Sequence, residues 1–499
     1  MPYLEHLKTE ANYKETLNGA KTHGSTGDAC LDLFSVAGGM RCRKEADQIR
    51  LFDRAYIENP EIAMKLLFHI RDIRGGIGER EIFRTLIRHT AKTWPESAEK
   101  NVRWISEYGR WDDLLCLMDT PCQEETVRVI RQQLEQDLDA IARRERGELD
   151  APVSLLGKWL PSANTSSART RGQAKVLMRA LHLDAKEYRQ MLTKLRANSC
   201  VTERYLTNKR VEKIRYEAVP AKAMLTYRDA FHRKDQERFD AYVEAAARGE
   251  AKLHCDTLFP YEILRPYFGT DDPAITPTQE ALLDALWNNL PRQIGSQNAI
   301  AVVDTSGSMY CSRPGTPKPA LISQALGIYF AERCQGVFHN HIITFESNPH
   351  LVELRGRNLL EKLRYVQSLP WGYSTNLEAV FDLILRTAVN FNARQEEMPD
   401  VLYIISDMEF NCAVRDPDKT VYENAQEKFE AHGYQIPAVV FQNVNSWQMQ
   451  APVTANTQGA ALVSGAGTSS MKEKFDGNST PLSHMLKVLN SKRYEVIHA

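Results

Sequence analysis

The chain has 499 residues, 43% hydrophobic and 25% charged, the composition of an ordinary globular protein too long for one core, so two or three domains are expected. No apolar run of about 18 residues occurs, which excludes an α-helical membrane span. The net charge of −1 hides an asymmetry: residues 169–238 hold 18 Lys+Arg against 8 Asp+Glu, whereas 1–168 and 239–499 balance at −3 and −8.

Residues 1–48 read as an N-terminal arm. Met1-Pro2-Tyr3-Leu4-Glu5-His6 is polar and mixed in charge, unlike a secretory signal or transit peptide. Gly24-Ser25-Thr26-Gly27 and Gly38-Gly39 break the arm around the apolar patch Leu31–Phe34. An extended arm lying on another domain fits this pattern, and so does a partly disordered tail.

From 49 to 290 the spacing is helical. Ile49, Phe52 and Tyr56 follow a three-to-four period, and Asn59-Pro60 opens a second helix with proline in its first turn. Further helices are expected at 96–108, 111–118 and 124–143. Gly75-Gly76-Ile77-Gly78 has neither phosphate-loop form and follows no strand, so it reads as an inter-helix turn whose glycines supply positive φ. Its neighbours Arg71, Arg74 and Arg80 are candidates to face an anion. After a loop-like break at 144–173, helices return at 176–183, 188–195 and 227–247, with basic polar faces. Thr276–Leu290 closes the series, capped by Thr276 with Pro277 first. Helices of this length with short breaks and no strict period predict HEAT-like repeats, which can close into a ring.

Past the linker 291–297, residues 298–499 alternate strand and helix, predicting a doubly wound, mostly parallel sheet. Ala299–Val303 is a buried-strand run that ends in Asp304-Thr305-Ser306-Gly307-Ser308. Strand carboxyl ends are where such sheets bind ligands, and hard oxygen donors there suit Mg²⁺. Gly372-Tyr373-Ser374-Thr375 precedes a helical pattern, and the strand Val401–Ile405 ends in Ser406-Asp407. Strand-end Asp-x-Ser-x-Ser, loop Thr and strand-end Asp, in that order, resemble the metal-ion-dependent adhesion site of von Willebrand factor A domains. The resemblance implies Ser306, Ser308 and Thr375 as direct ligands, with Asp304 and Asp407 acting mainly through water. Met408 stands where that family often has glycine. The metal implied is Mg²⁺, with Mn²⁺ or Ca²⁺ as alternatives.

Other stretches of the helical half are distinctive when taken together: Ile70–Arg80, Tyr108–Leu115, Lys158–Pro161, Tyr188-Arg189, Val219–Ala223 and Phe259–Ile263. With the A domain they resemble the TROVE-module, Ro autoantigen-like ribonucleoproteins, closest to a less characterised branch. The resemblance spans roughly residues 25–495. It implies a ring of helical repeats beside the A domain, with RNA on the basic outer face and single-stranded ends in the central hole.

Three functions are weighed. The first is binding of small noncoding or structured RNA, with Arg169, Arg171, Lys175, Arg179, Lys209, Arg210, Lys213 and Arg215 neutralising phosphates and Tyr188, Tyr205 and Tyr216 stacking on bases. Against it stands a solvated helical face whose charges balance the acidic A domain. The second is a metal-dependent scaffold that takes a carboxylate from a protein partner. Catalysis is the third and is not expected, because no nucleophile elbow, zinc motif, Walker loop or dinucleotide fingerprint occurs. Nine scattered cysteines without a Cys-x-x-Cys motif suit reduced thiols, so a cytoplasmic location is expected; separately, the chain is expected to be a monomer. His339 and His341 read as packing and surface residues rather than a metal pair.

Overall fold

The computed structural model describes residues 7, 10–148, 151–199, 202–270, 275–295, 297–370, 374–412, 416, 418–472, 475 and 477–499. Met1–His6, Gly372 and Tyr373 therefore lie outside the described residues.

The strands among the described residues are β1 (Tyr13–Glu15), β2 (Lys21–His23), β3 (Ala299–Asp304), β4 (His341–Phe345), β5 (Leu351–Glu353), β6 (Val401–Ser406), β7 (Ala438–Asn443) and β8 (Ala460–Ser464). The last six form one sheet in the order β5-β4-β3-β6-β7-β8, parallel throughout except for the short edge strand β5. Every residue of β3, β6 and β7 is buried, as continuous apolar runs covered by helices on both faces require. This is the doubly wound sheet that the alternation predicts. The chain leaves β3 toward β4 on one side and later returns to β6 on the other, which makes the β3–β6 boundary the switch point. Val303 pairs with Ile405 across that boundary, so Asp304 and Ser406-Asp407 emerge side by side.

The helical half runs from residue 29 to 290, but its boundaries differ from the spacing in several places. Residues 29–42 are not an arm: Ala29–Val36 is a buried helix, capped by the Asp28 carboxylate on Leu31 N–H, and a 3₁₀ turn follows at Ala37–Cys42. Gly38 packs on the β8 edge so closely that a Cβ would stand 2.3 Å from the Gly465 backbone. The expected helix at 96–108 is three pieces (Pro95–Asn101, Val102–Trp104, Ile105–Tyr108), and that at 111–118 is 3₁₀. The one at 227–247 is two helices, Ala221–Lys234 and Gln236–Ala247, broken at Asp235. Thr276 caps Pro277–Asn288 through Gln279 N–H, as its sequence predicts.

In the Gly75–Gly78 turn positive φ is confined to Gly78, at +80°. Gly76 is required for a different reason, since a Cβ there would meet the His69 carbonyl oxygen at 2.1 Å. Gly78 itself abuts the Phe259 ring, so the helical array returns to its own beginning. Its last helices also touch the sheet domain: Asp284 accepts Leu359 N–H at 2.9 Å and Trp287 donates to Glu332.

The C-terminal tail locks the two halves together. Arg493 pairs with the fully buried Asp72, Tyr494 donates its hydroxyl to Asp72 at 3.0 Å, and His69 Nδ1 lies 3.0 Å from that hydroxyl. Burial pushes the His69 imidazole down to about 4. Burial alone would raise the Asp72 carboxyl, but hydrogen bonds and charge from Arg493 bring it below its usual value. Since the unfolded imidazole titrates near 6.5, the unfolded chain binds the extra proton between about pH 6.5 and 4. The His69 contribution is intact above 6.5 and is lost as pH falls through that window, about 2 kcal/mol by pH 5. Between pH 7 and 5 the urea midpoint of wild type should therefore drop relative to that of His69→Gln, by the equivalent of about 2 kcal/mol.

Candidate metal centre and basic surface

The β3 and β6 ends build the metal-site candidate. Asp304 is fully buried, and its two oxygens accept Ser306 N–H at 2.8 Å and the Ser406 hydroxyl at 2.5 Å. Ser306 Oγ lies 3.2 Å from Ser308 Oγ. Asp407, 1% exposed, accepts Glu409 N–H at 3.2 Å and the Trp447 indole N–H at 3.1 Å. The structure thus gathers Asp304, Ser306, Ser308 and Asp407. Thr375, fully buried, reaches the same loop: its hydroxyl lies 2.7 Å from the Glu409 carbonyl and 2.9 Å from Asn411 Oδ1.

Electrostatics set this group apart. Burial and then the charge of Asp407 push the Asp304 carboxyl up to about 7, against hydrogen bonds from Ser406 and Ser306. Burial also raises Asp407, opposed by hydrogen bonds from Ser308, Glu409 and Trp447. No lysine or arginine among the described residues pairs with either carboxylate. Two buried acids facing one another, ringed by hydroxyl oxygens, form a donor set that fits a hard divalent cation. Met408, at φ +66°, holds the left-handed conformation that suits glycine.

Three contributors have little signal in the sequence. Ser406, the residue before the expected ligand, holds Asp304. Glu409, 1% exposed, has its carboxyl raised by burial. Asn18 comes from the hairpin β1–β2, whose turn Thr16–Gly19 has Gly19 at φ +83°. Its Nδ2 donates to Thr375 Oγ1 at 3.0 Å and to the Glu409 carbonyl at 2.6 Å. The Asn18-Gly19 pair is the one local hint of that hairpin. Residues 12–24 thus lie on the sheet domain as an extended arm.

The basic candidates fall in two places. Arg169, Arg171, Lys175 and Arg179 lie on the helix Ala168–Leu181, whose Ala174, Leu177 and Leu181 are buried. Arg171, Lys175 and Arg179 follow i, i+4 spacing along one strip. Lys209, Arg210, Lys213 and Arg215 lie instead in an irregular stretch with 3₁₀ turns at Val211–Lys213 and Tyr216–Ala218, not on an amphipathic helix. All are exposed except Arg171, which is half-buried and donates to the Thr165 and Ser166 carbonyls at 2.7 Å. None of the eight pairs with a carboxylate among the described residues, unlike Lys158, Lys194, Lys222 and Arg228 nearby.

Two stacking candidates are corrected. Tyr188 is fully buried, its hydroxyl satisfied by the Pro161 carbonyl at 2.8 Å. Tyr216, 5% exposed, packs among Phe231, Phe239 and Tyr242 and donates to Asp235. Each phenol has found an internal partner, which lets an aromatic flanked by charges serve the core. Tyr205 is half-buried. Of the arginines near the glycine turn, Arg71 forms a buried pair with Asp113 at 2.8 Å and Arg80 pairs with Glu81 at 2.7 Å, while Arg74 is exposed. His339 and His341 each direct Nδ1 to a nearby backbone carbonyl.

The chain is 29% identical over 519 residues to "Uncharacterized protein L728" of Acanthamoeba polyphaga mimivirus, covering 96% of this chain and 87% of the relative. The crystal structure of the Deinococcus radiodurans RO (RSR) protein matches at TM-score 0.48 and 14% identity, over 94% of this chain and 100% of that one. The family model "Domain of unknown function (DUF7788)" matches residues 298–491. The model "Domain of unknown function (DUF2828)" matches residues 16–132 and 166–298, which together make half of the sequence, and the chain belongs to that DUF2828 family.

Proposed function

We propose that this is a Ro-like RNA-binding protein that holds small or structured RNA on the basic surfaces of its helical half and contacts a protein partner through a divalent cation in its sheet domain. The observation that supports RNA is the set of eight cationic side chains at 169–215, seven of them exposed and none neutralised by a carboxylate among the described residues. Charges balanced across an interface would be paired. Exposed, unpaired ones exchange condensed counterions for phosphates, giving sequence-independent affinity that falls steeply with salt. The buried tyrosines leave phosphate contact, rather than base stacking, as the main source of binding.

Filter binding to structured and single-stranded RNA across a salt series tests this reading. Wild-type protein should bind at low salt. Replacing Lys175, Arg179, Lys209 and Arg210 by alanine should weaken binding roughly 100-fold and flatten the log–log salt slope by about one unit per residue. No measurable binding at low salt removes the proposal.

A second reading, a metal-dependent scaffold without RNA, is favoured by the unneutralised Asp304–Asp407 pair. A bound Mg²⁺ would offer an open coordination position to a partner's carboxylate. A Mg²⁺-dependent pulldown that Asp304→Ala abolishes, from protein that binds no RNA, would select it. Both readings are of binding rather than catalysis, in a reducing compartment such as the cytoplasm.

A further inference from the structure

The hairpin of residues 12–24 does more than cover a surface. It runs along the loops that leave β6 and β7: Thr16 Oγ1 donates to the Phe410 carbonyl at 2.6 Å, and Gly19 bridges to Asn411. His23 and Ala451 exchange backbone hydrogen bonds at 3.0 and 2.9 Å, and Lys14 reaches the Met449 carbonyl at 3.2 Å. At its tip, Leu17 N–H donates to Glu409 Oε2 at 2.7 Å, and Asn18 spends both amide protons on Thr375 Oγ1 and the Glu409 carbonyl. The tip therefore touches the hydroxyl of one candidate ligand and the loop two residues beyond another.

The hydroxyl of Thr375 has one proton and two lone pairs. Its proton goes to the Glu409 carbonyl or to Asn411 Oδ1, both within 2.9 Å. One lone pair accepts from Asn18; the second faces whichever of these two oxygens the proton does not serve, and a cation bound there would replace that contact. With proton and first lone pair directed by fixed partners, the hydroxyl cannot rotate freely, and the remaining lone pair has a set direction. A flexible threonine would lose that freedom on binding a cation. One held by Asn18 has already lost it.

We propose that the hairpin tip is an integral part of the metal site, with Asn18 as a positioning residue for Thr375, so that docking of residues 16–19 and binding of a divalent cation reinforce each other. This rests on reading Asp304, Ser306, Ser308, Thr375 and Asp407 as a cation site. It adds that the first two dozen residues, far away in sequence, set that site's affinity. Coupling of this kind is reciprocal: whatever factor the docked tip contributes to cation affinity, the cation returns to the docking equilibrium.

Two measurements on the full-length protein test the coupling. Terbium(III) emission sensitised by Trp447, whose indole touches Asp407, gives the affinity of the site, and competition by Mg²⁺ gives that of the smaller ion. Asn18→Ala should weaken Mg²⁺ about fivefold, the size of one lost hydrogen bond, with the melting temperature in the absence of metal held near wild type. Hydrogen exchange on unmutated protein supplies the reciprocal reading, because the Leu17 amide reports docking directly. Its exchange should slow on adding Mg²⁺, and should not respond in Asp304→Asn.

If wild-type protein binds neither Tb³⁺ nor Mg²⁺, the cation site itself is refuted and the coupling with it. If wild type binds both ions, but Asn18→Ala binds them equally well and the Leu17 amide ignores Mg²⁺, the coupling alone is overturned and the cation site stands.

Discussion

Asp113→Ala should lower the unfolding free energy by about 3–5 kcal/mol, the largest stability loss expected from one substitution in the helical half. Asp113 is fully buried and accepts from Arg71 Nε at 2.8 Å, Arg84 Nε at 2.6 Å and the Arg110 N–H at 2.9 Å. Removing its carboxylate strands the Arg71 guanidinium, itself 4% exposed, with a buried charge and no counter-charge. Its neighbour Asp112 also meets two arginines, Arg84 at 2.8 Å and Arg110 at 2.9 Å, but water reaches that pair, and Asp112→Ala should cost no more than about 1 kcal/mol. Asp113→Asn keeps an acceptor while losing the charge and should fall between the two. Urea midpoints of the three variants give the ranking, and equal losses at 112 and 113 would show that burial does not decide it.

The contrast between these adjacent carboxylates shows where sequence reading stops. Trp111-Asp112-Asp113 is a recognisable motif, yet nothing local says which acid faces the core. The sheet domain was far more legible. Ala299–Val303 and Val401–Ile405 are continuous apolar runs that end in polar loops, and buried parallel strands have no other common pattern. Which runs are neighbours is not written in them: Asp304 and Asp407, about 100 residues apart, were joined through the resemblance to a metal-ion-dependent adhesion site, and the β3–β6 pairing then places their strand ends side by side.

The hairpin at 12–24 was harder because the contacts that dock it on the sheet domain are long-range. Thr16, Leu17 and Asn18 bond to residues nearly 400 positions away, and no periodicity records that. The tyrosines misled for a related reason. Tyr188 lies in a stretch rich in charge, but the three-to-four spacing of Tyr188, Leu192 and Leu195, all buried, marks the core face, and that spacing outweighs the character of the neighbours. Short 3₁₀ links such as Val102–Trp104 keep nearly helical spacing and so look continuous in sequence.

Asp304→Asn should change the protein in opposite directions with and without metal. In metal-free protein Asp304 binds its proton more tightly folded than unfolded, since burial and Asp407 push it up to about 7. The folded state therefore holds more protons between about pH 4 and 7, and stability falls as pH rises through that window. Asparagine removes the charge and can keep an acceptor for Ser306 N–H, so metal-free Asp304→Asn should be at least as stable as wild type at pH 8. With Mg²⁺ at about 100 times its dissociation constant, wild type should gain about 2.7 kcal/mol, whereas the variant, short of one carboxylate, should gain little. The two thermal unfolding curves should cross as Mg²⁺ is added. A variant destabilised to the same extent with and without Mg²⁺ would mean that Asp304 is a structural acid held by Ser406 and Ser306, and the paired carboxylates would then need no cation to explain them.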